Sequence, residues 1–125
     1  MLLVERNGAL RQVLVEALEE LGFEVVAAGG RKQALDALLH ARDPDLLLVD
    51  LVDDAAGGER LLSFVGEHEQ LAAIPVIVMT DGAEPVEHAS ADVLVKPFGI
   101  EELRMAARGA LGAAEGTAEP PQAHR

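Results

Sequence analysis

The chain has 125 residues, half of them apolar, which is enough for one domain with a real core. Asp and Glu number 22 against 10 Lys and Arg, and the resulting net charge of −12 argues against binding to nucleic acid or to an anionic membrane surface. Three Phe, with no Tyr, Trp or Cys, exclude aromatic stacking platforms, disulfides and cysteine-based metal sites.

Short apolar runs alternate along the chain with stretches in which apolar residues recur at helical spacing. Strands are predicted at residues 2–4, 23–28, 46–49, 75–80 and 93–95, and helices have their apolar positions within 10–21, 34–39, 61–65 and 100–110. Asn7 stands where a helix cap is expected and Gly22 where that helix ends. Gly57 and Gly58 are predicted to lie in a loop before the third helix.

The predicted strands are apolar on both faces, as in a parallel sheet that helices cover on both sides. We therefore expect an α/β fold with a doubly wound, five-stranded parallel sheet over residues 1–111. Residues 112–125 lack periodicity and are expected to form a disordered tail. The sequence shows neither a targeting segment nor an apolar run of membrane-spanning length, so a cytoplasmic domain is expected.

Polar residues follow the predicted strands where each strand ends, and in open α/β sheets ligands gather at that edge. Glu5 and Arg6 follow the first strand, Asp50 the third, Thr80 ends the fourth and Lys96 follows the fifth. Asp50 is the candidate nucleophile or metal ligand, and Lys96 is the cation that balances it. Thr80 can donate a hydrogen bond to an anion bound there.

These segments resemble the receiver domains of two-component response regulators. The matching stretches are PDLLLVDL at 44–51, IPVIVMT at 74–80 and LVKPF at 94–98, and the order of helices and strands matches over residues 1–111. The resemblance implies a flavodoxin-like receiver fold in which Asp50 accepts a phosphoryl group from the phosphohistidine of a histidine kinase, assisted by Mg²⁺. Thr80 and Lys96 would then hold the phosphoryl oxygens.

The chain departs from this family at positions that matter for the metal and for switching. The family usually places a second acid where Arg6 stands and a switching aromatic where Val93 stands. A β-branched side chain has little rotamer freedom, so the usual coupling between Thr80 and the aromatic cannot operate. The segment between Thr80 and Lys96 is also short for the family. The family has its fourth helix in this segment, before the helix at 100–110, and that helix is expected to be shortened here.

The metal site is expected to be weakened by the exchange of an acid for Arg6. Glu5 and Asp50 remain as candidate Mg²⁺ ligands, and a guanidinium beside them should lower the affinity for the ion. A replacement oxygen could come from Asp53, Asp54 or Asp81. Alternatively, Arg6 pairs with Asp50 as a structural salt bridge.

The sequence thus predicts a stand-alone, atypical receiver domain that is not an enzyme. Asp50 is either still phosphorylated or belongs to a pseudo-receiver that acts by protein–protein contact without phosphorylation. The expected partner is a histidine kinase or another signalling protein, and a homodimer is possible. The alternative is a small flavodoxin-like enzyme or cofactor-binding domain that uses Asp50.

Overall fold

The computed structural model describes residues 1–40, 43–82 and 91–118, with side chains up to residue 112. Its five strands form one parallel sheet in the order β2-β1-β3-β4-β5, and four helices are described around it. This confirms the predicted doubly wound α/β fold. The strands are β1 (Leu2–Val4), β2 (Val26–Ala28), β3 (Leu47–Asp50), β4 (Val76–Thr80) and β5 (Ala91–Val95). The helices are α1 (Gly8–Glu20), α2 (Arg31–His40), α3 (Ala55–Glu67) and α4 (Ile100–Ala118).

Each face of the sheet packs against its own pair of helices. Successive strand residues point to opposite faces, so alternate residues of β1, β3 and β4 enter different core clusters. Leu2 and Val4 pack with residues of α2 and α3, whereas Leu3 packs with residues of α1 and α4. Because β1 and β3 are buried on both faces, they read as continuous apolar runs in the sequence.

The first helix begins and ends where the sequence predicts. The side-chain Oδ1 of Asn7 accepts a hydrogen bond from the backbone N–H of Leu10 at 3.0 Å, which satisfies one of the free donors of the first turn. Gly22 has a φ of +99°, a left-handed conformation that glycine adopts without steric cost.

The predicted loop before the third helix is wrong at Gly57 and Gly58, because both lie within α3. Asp54 caps the helix: its Oδ1 accepts a hydrogen bond from the backbone N–H of Gly57 at 3.1 Å. Gly58 belongs there for space, since a Cβ at this position would meet the side chain of Leu51 and lie 3.0 Å from the carbonyl oxygen of Asp50. The glycine pair therefore reflects a close approach of α3 to the end of β3.

Other boundaries differ at the ends of elements. Strand β2 begins at Val26 rather than residue 23, since the three residues of β1 offer pairing only to residues 26–28. Helix α4 continues past Gly112 to Ala118, so the first residues of the predicted tail are helical. The shortened helix that is predicted between Thr80 and Lys96 falls on residues 83–90, which lie outside the described residues. The end of the predicted tail, residues 119–125, also lies outside them.

Within the described parts of the chain, the helices lack the combination of length and apolarity that crossing a membrane requires.

Candidate functional site

Two buried carboxylates lie side by side at the carboxyl edge of the sheet. Strand β1 pairs with β3 so that Val4 lies opposite Val49, which places Glu5 level with Asp50. Glu5 is 0% exposed and Asp50 is 4% exposed. Two neighbouring carboxylates that are removed from water repel each other and require a cation.

Lys96 supplies that cation. Its Nζ donates hydrogen bonds to Oδ1 of Asp50 at 2.8 Å and to Oε1 of Glu5 at 3.1 Å. The backbone N–H of Lys96 donates to the carbonyl of Thr80 at 2.7 Å, which fixes the residue at the end of β5, and a cis peptide bond to Pro97 follows. The predicted convergence of Asp50 and Lys96 is therefore present. We refer to Glu5, Asp50 and Lys96 together as the acid–lysine triad.

The loop after β3 also binds Asp50. The backbone N–H of Val52 donates to Oδ1 of Asp50 at 3.0 Å, and the N–H of Asp53 donates to Oδ2 at 3.1 Å. Burial opposes ionisation of Asp50, but the hydrogen bonds from Lys96 and these two amides outweigh it and hold its pKa below the ordinary value. Asp50 is thus an ionised carboxylate at neutral pH, as a nucleophile must be.

Glu5 and Lys96 respond differently to the same surroundings. Burial raises the pKa of Glu5 and the neighbouring Asp50 charge raises it further, against the hydrogen bond from Lys96. Burial disfavours the charged form of Lys96, but its hydrogen bonds to Asp50 and Glu5 outweigh that cost and raise its pKa. The ammonium therefore stays charged throughout the neutral range.

Thr80 lies at the same edge, at the end of β4. Met79 is paired with Asp50 in the sheet, so Thr80 stands one residue beyond it, and Thr80 is 7% exposed. Its Oγ1 accepts a hydrogen bond from the backbone N–H of Gly82 at 3.2 Å. The hydroxyl can still donate its proton to an anion in front of Asp50.

Arg6 pairs with a residue other than Asp50. Its guanidinium pairs instead with Oδ2 of Asp54 at 3.6 Å, and its side chain is 64% exposed. The predicted salt bridge between Arg6 and Asp50 is therefore wrong. Glu5 takes the inward direction at the end of β1, so the next side chain faces solvent, and Lys96 already neutralises Asp50.

A third carboxylate joins the two buried ones. Glu5, Asp50 and Asp53 each offer an oxygen within 4.8 Å of the others, the one such cluster among the described residues. The structure thus favours Asp53 over Asp54 as the extra acid, since Asp54 caps α3 and pairs with Arg6. Three carboxylate oxygens form a donor set suited to Mg²⁺.

The backbone amides of Val52 and Asp53 are functional groups that the sequence did not reveal. Residue identity carries no information on where an N–H points in a loop, so no pattern could have indicated them. Val93 lies on a strand, as the sequence predicts. That strand, β5, is at the edge of the sheet, and Val93 is 50% exposed.

Comparison with known proteins adds independent information. A family model described as the response regulator receiver domain matches residues 1–108. The KDP operon transcriptional regulatory protein KdpE of Escherichia coli is 36% identical over 95% of the chain and 54% of its own length. The phosphate regulon transcriptional regulatory protein PhoB of Pseudomonas aeruginosa is 31% identical over 82% of the chain and 47% of its own length. The chain therefore spans about half the length of these two relatives.

Among solved structures, the chemotaxis protein CheY4 of Vibrio cholerae superimposes with a TM-score of 0.78. The alignment covers 87% of the chain and 95% of CheY4, at 24% identity. This likeness independently supports the doubly wound fold.

Proposed function

Because the chain belongs to the response regulator receiver domain family, a family of signalling domains, we propose that it carries a signal by accepting a phosphoryl group on Asp50. The observation that carries this proposal is the acid–lysine triad: a buried, ionised Asp50 held by Lys96 at 2.8 Å at the ligand-binding edge of the sheet. A histidine kinase or another phosphohistidine protein is the proposed donor.

In the proposed transfer, a carboxylate oxygen of Asp50 attacks the phosphorus of the donor. A P–O bond to Asp50 forms as the P–N bond of the phosphohistidine breaks, and the departing imidazole keeps the electron pair and takes up a proton. In this proposal Lys96, which contacts Asp50, neutralises charge on the phosphoryl oxygens, and the hydroxyl of the buried Thr80 donates to one of them. Transfer of this kind depends on positioning and charge neutralisation more than on covalent chemistry by the protein.

Mg²⁺ fits the site by the chemistry of its donors. Glu5, Asp50 and Asp53 would hold the ion, and when bound it supplies positive charge to the oxygens of the phosphoryl group. We propose that the affinity is weaker than in relatives with two adjacent acids, since Arg6 takes one of those positions and places a cation nearby.

Replacement of Asp53 by Asn is expected to weaken Mg²⁺ binding by about tenfold, because one of three charged ligands becomes neutral. Isothermal titration with MgCl₂ measures the affinity. Asp45→Asn is the matched control. It removes the same charge from an exposed position before β3, at the amino ends of the strands and so away from the site. Equal weakening in both variants would show that only the overall charge matters and that Asp53 is not a ligand.

Incubation with acetyl phosphate and Mg²⁺ is expected to add about 80 Da to the protein, the mass of one phosphoryl group, and the Asp50→Asn variant is expected to gain none. Intact-mass spectrometry measures both. The amide of Asn fills the same space as the carboxylate, so the comparison isolates the nucleophile. A wild-type protein without added mass, or an equal gain in Asp50→Asn, would remove the phosphorylation proposal.

One observation favours a second candidate, a pseudo-receiver that signals by protein contact alone. Val93 lies on the exposed edge strand β5 at the position of the family's switching aromatic, so this position offers no aromatic side chain to follow Thr80. An unphosphorylated wild-type protein in the experiment above is the outcome that supports this candidate.

Both candidates act through partner proteins, with a second copy of the chain as one possible partner. Neither candidate function makes the domain an enzyme that converts a substrate. The match over residues 1–108 favours them over a small flavodoxin-like enzyme.

A further inference from the structure

Arg6 lies beside the acid–lysine triad without belonging to it. It directly follows Glu5, which stands level with Asp50 across the pairing of β1 and β3. Its side chain is 64% exposed, and its guanidinium lies over the loop after β3, 3.6 Å from Oδ2 of Asp54. A solvent-exposed cation therefore lies at the end of the loop that follows the proposed phosphoryl acceptor.

The present partner of Arg6 holds it weakly. A separation of 3.6 Å exceeds hydrogen-bond length, so the contact is charge attraction alone between two groups that water reaches. Asp54 has a separate task, since its Oδ1 accepts the N–H of Gly57 and caps α3. Arg6 can thus leave Asp54 without leaving a buried charge unpaired, and the helix cap stays in place.

Phosphorylation of Asp50 would create a demand for a further cation. The carboxylate carries one negative charge, whereas an aspartyl phosphate carries about two. Lys96 already divides its ammonium between Asp50 and Glu5. Arg11, the next arginine along the chain, already donates a side-chain hydrogen bond to the backbone carbonyl oxygen of Glu5 at 2.9 Å.

We propose that Arg6 is a phosphoryl-binding residue, which moves from Asp54 to the phosphoryl oxygens when Asp50 is modified. A guanidinium presents paired N–H donors that match two oxygens of one phosphoryl group. Arg6 then provides part of the positive charge that a tightly held Mg²⁺ would otherwise supply. This inference rests on the proposed phosphorylation of Asp50.

The test uses acetyl phosphate as donor and intact mass as readout, over a series of Mg²⁺ concentrations. In the reaction a carboxylate oxygen of Asp50 bonds to phosphorus, the P–O bond to the acetyl group breaks, and acetate leaves with the electron pair. At limiting Mg²⁺, Arg6→Gln is expected to form phosphoprotein about tenfold more slowly than wild type, and Arg6→Lys to lie between them. The deficit of Arg6→Gln should shrink as Mg²⁺ rises.

Arg104→Gln is the matched control, since Arg104 pairs with Glu101 on the surface of α4 and should leave the rate unchanged. Equal rates for wild type and Arg6→Gln at every Mg²⁺ concentration, or a faster rate for Arg6→Gln, would overturn the proposed role of Arg6. Either result would leave the proposed phosphorylation of Asp50 intact. If wild type gains no mass, the proposed function fails, and the role of Arg6 fails with it.

A second readout separates direct contact from a structural role. In ¹⁵N spectra, the Nε–Hε signal of Arg6 is expected to shift on phosphorylation in wild type and to stay in place when Asp50→Asn is treated identically. Asp54→Asn keeps a capping side chain but releases Arg6, so its phosphorylation at limiting Mg²⁺ should be at least as fast as in wild type. An unmoved Arg6 signal in phosphorylated protein would contradict the proposed contact.

Discussion

Replacement of Lys96 by Met is expected to lower the free energy of unfolding by roughly 3 kcal/mol and to slow phosphorylation of Asp50 by about a hundredfold or more. Met keeps most of the side-chain volume and removes the ammonium. The variant therefore leaves Glu5 and Asp50 as adjacent carboxylates, 0% and 4% exposed, without their shared cation. Loss of one partner from a buried ion pair typically costs 3–5 kcal/mol, and the 16% exposure of the Lys96 side chain places this site near the lower end.

Chemical denaturation in metal-free buffer measures the stability, and Lys32→Met is the matched control. Lys32 is exposed on α2, so its replacement should change stability by less than about 0.5 kcal/mol. A double-mutant cycle sharpens the test, because Asp50→Asn removes one of the two charges that Lys96 neutralises. The cost of Lys96→Met should be smaller in that background; an unchanged cost would show that packing and not charge is responsible.

The same pair of proteins should differ in a pH-dependent way. The pKa of Lys96 is raised above its ordinary 10.5, so its stabilising contribution is present below pH 10.5 and is lost as the pH rises through the folded-state pKa. The pKa of Asp50 is lowered below 3.8, so its contribution is present above pH 3.8 and is lost as the pH falls through the folded-state pKa. Lys96 has two ionised carboxylates to neutralise only when Glu5 is also ionised, and burial raises the pKa of Glu5 above 4.5. The stability difference between wild type and Lys96→Met should therefore be largest above the raised pKa of Glu5 and below pH 10.5.

The parts of the fold and site that the sequence predicts are those fixed by simple, repeated rules. Strands buried on both faces produce apolar runs, and the carboxyl ends of parallel strands meet at one edge. These two rules bring Asp50, Thr80 and Lys96 together without further information.

The parts that the sequence does not predict depend on directions taken by loops and side chains after a strand ends. Arg6 and Glu5 are adjacent in sequence, yet one faces solvent and the other the core. The choice of Asp53 over Asp54 beside Glu5 and Asp50 depends on where α3 begins. The glycine pair at 57 and 58 predicts a loop, whereas the structure begins α3 at Ala55 with Asp54 as its cap.

The position of α3 against the end of β3 leads to the other large effect: Gly58→Ala is expected to lower the free energy of unfolding by about 2 kcal/mol. Within a helix, alanine is more favourable than glycine by about 1 kcal/mol, so the variant would be stabilising if there were space for the new methyl group. The new Cβ, however, would meet the side chain of Leu51 and lie 3.0 Å from the carbonyl oxygen of Asp50. A side chain can turn away, but the backbone of the acceptor residue must move, which places the cost near the upper end of the usual range of about 1–3 kcal/mol for overpacking. After the helix gain of about 1 kcal/mol is subtracted, a net loss of about 2 kcal/mol remains.

Gly109→Ala provides the control, because Gly109 lies within α4 and nothing stands within 4 Å of its added Cβ. It should raise stability by about 0.5–1 kcal/mol, the ordinary helix preference of alanine. Gly58→Ala should also slow phosphorylation, since the displaced carbonyl belongs to Asp50, whereas Gly109→Ala should not. Equal stability gains in the two variants would show that α3 can shift from β3 at little cost, and that close packing there does not fix the position of the phosphoryl acceptor.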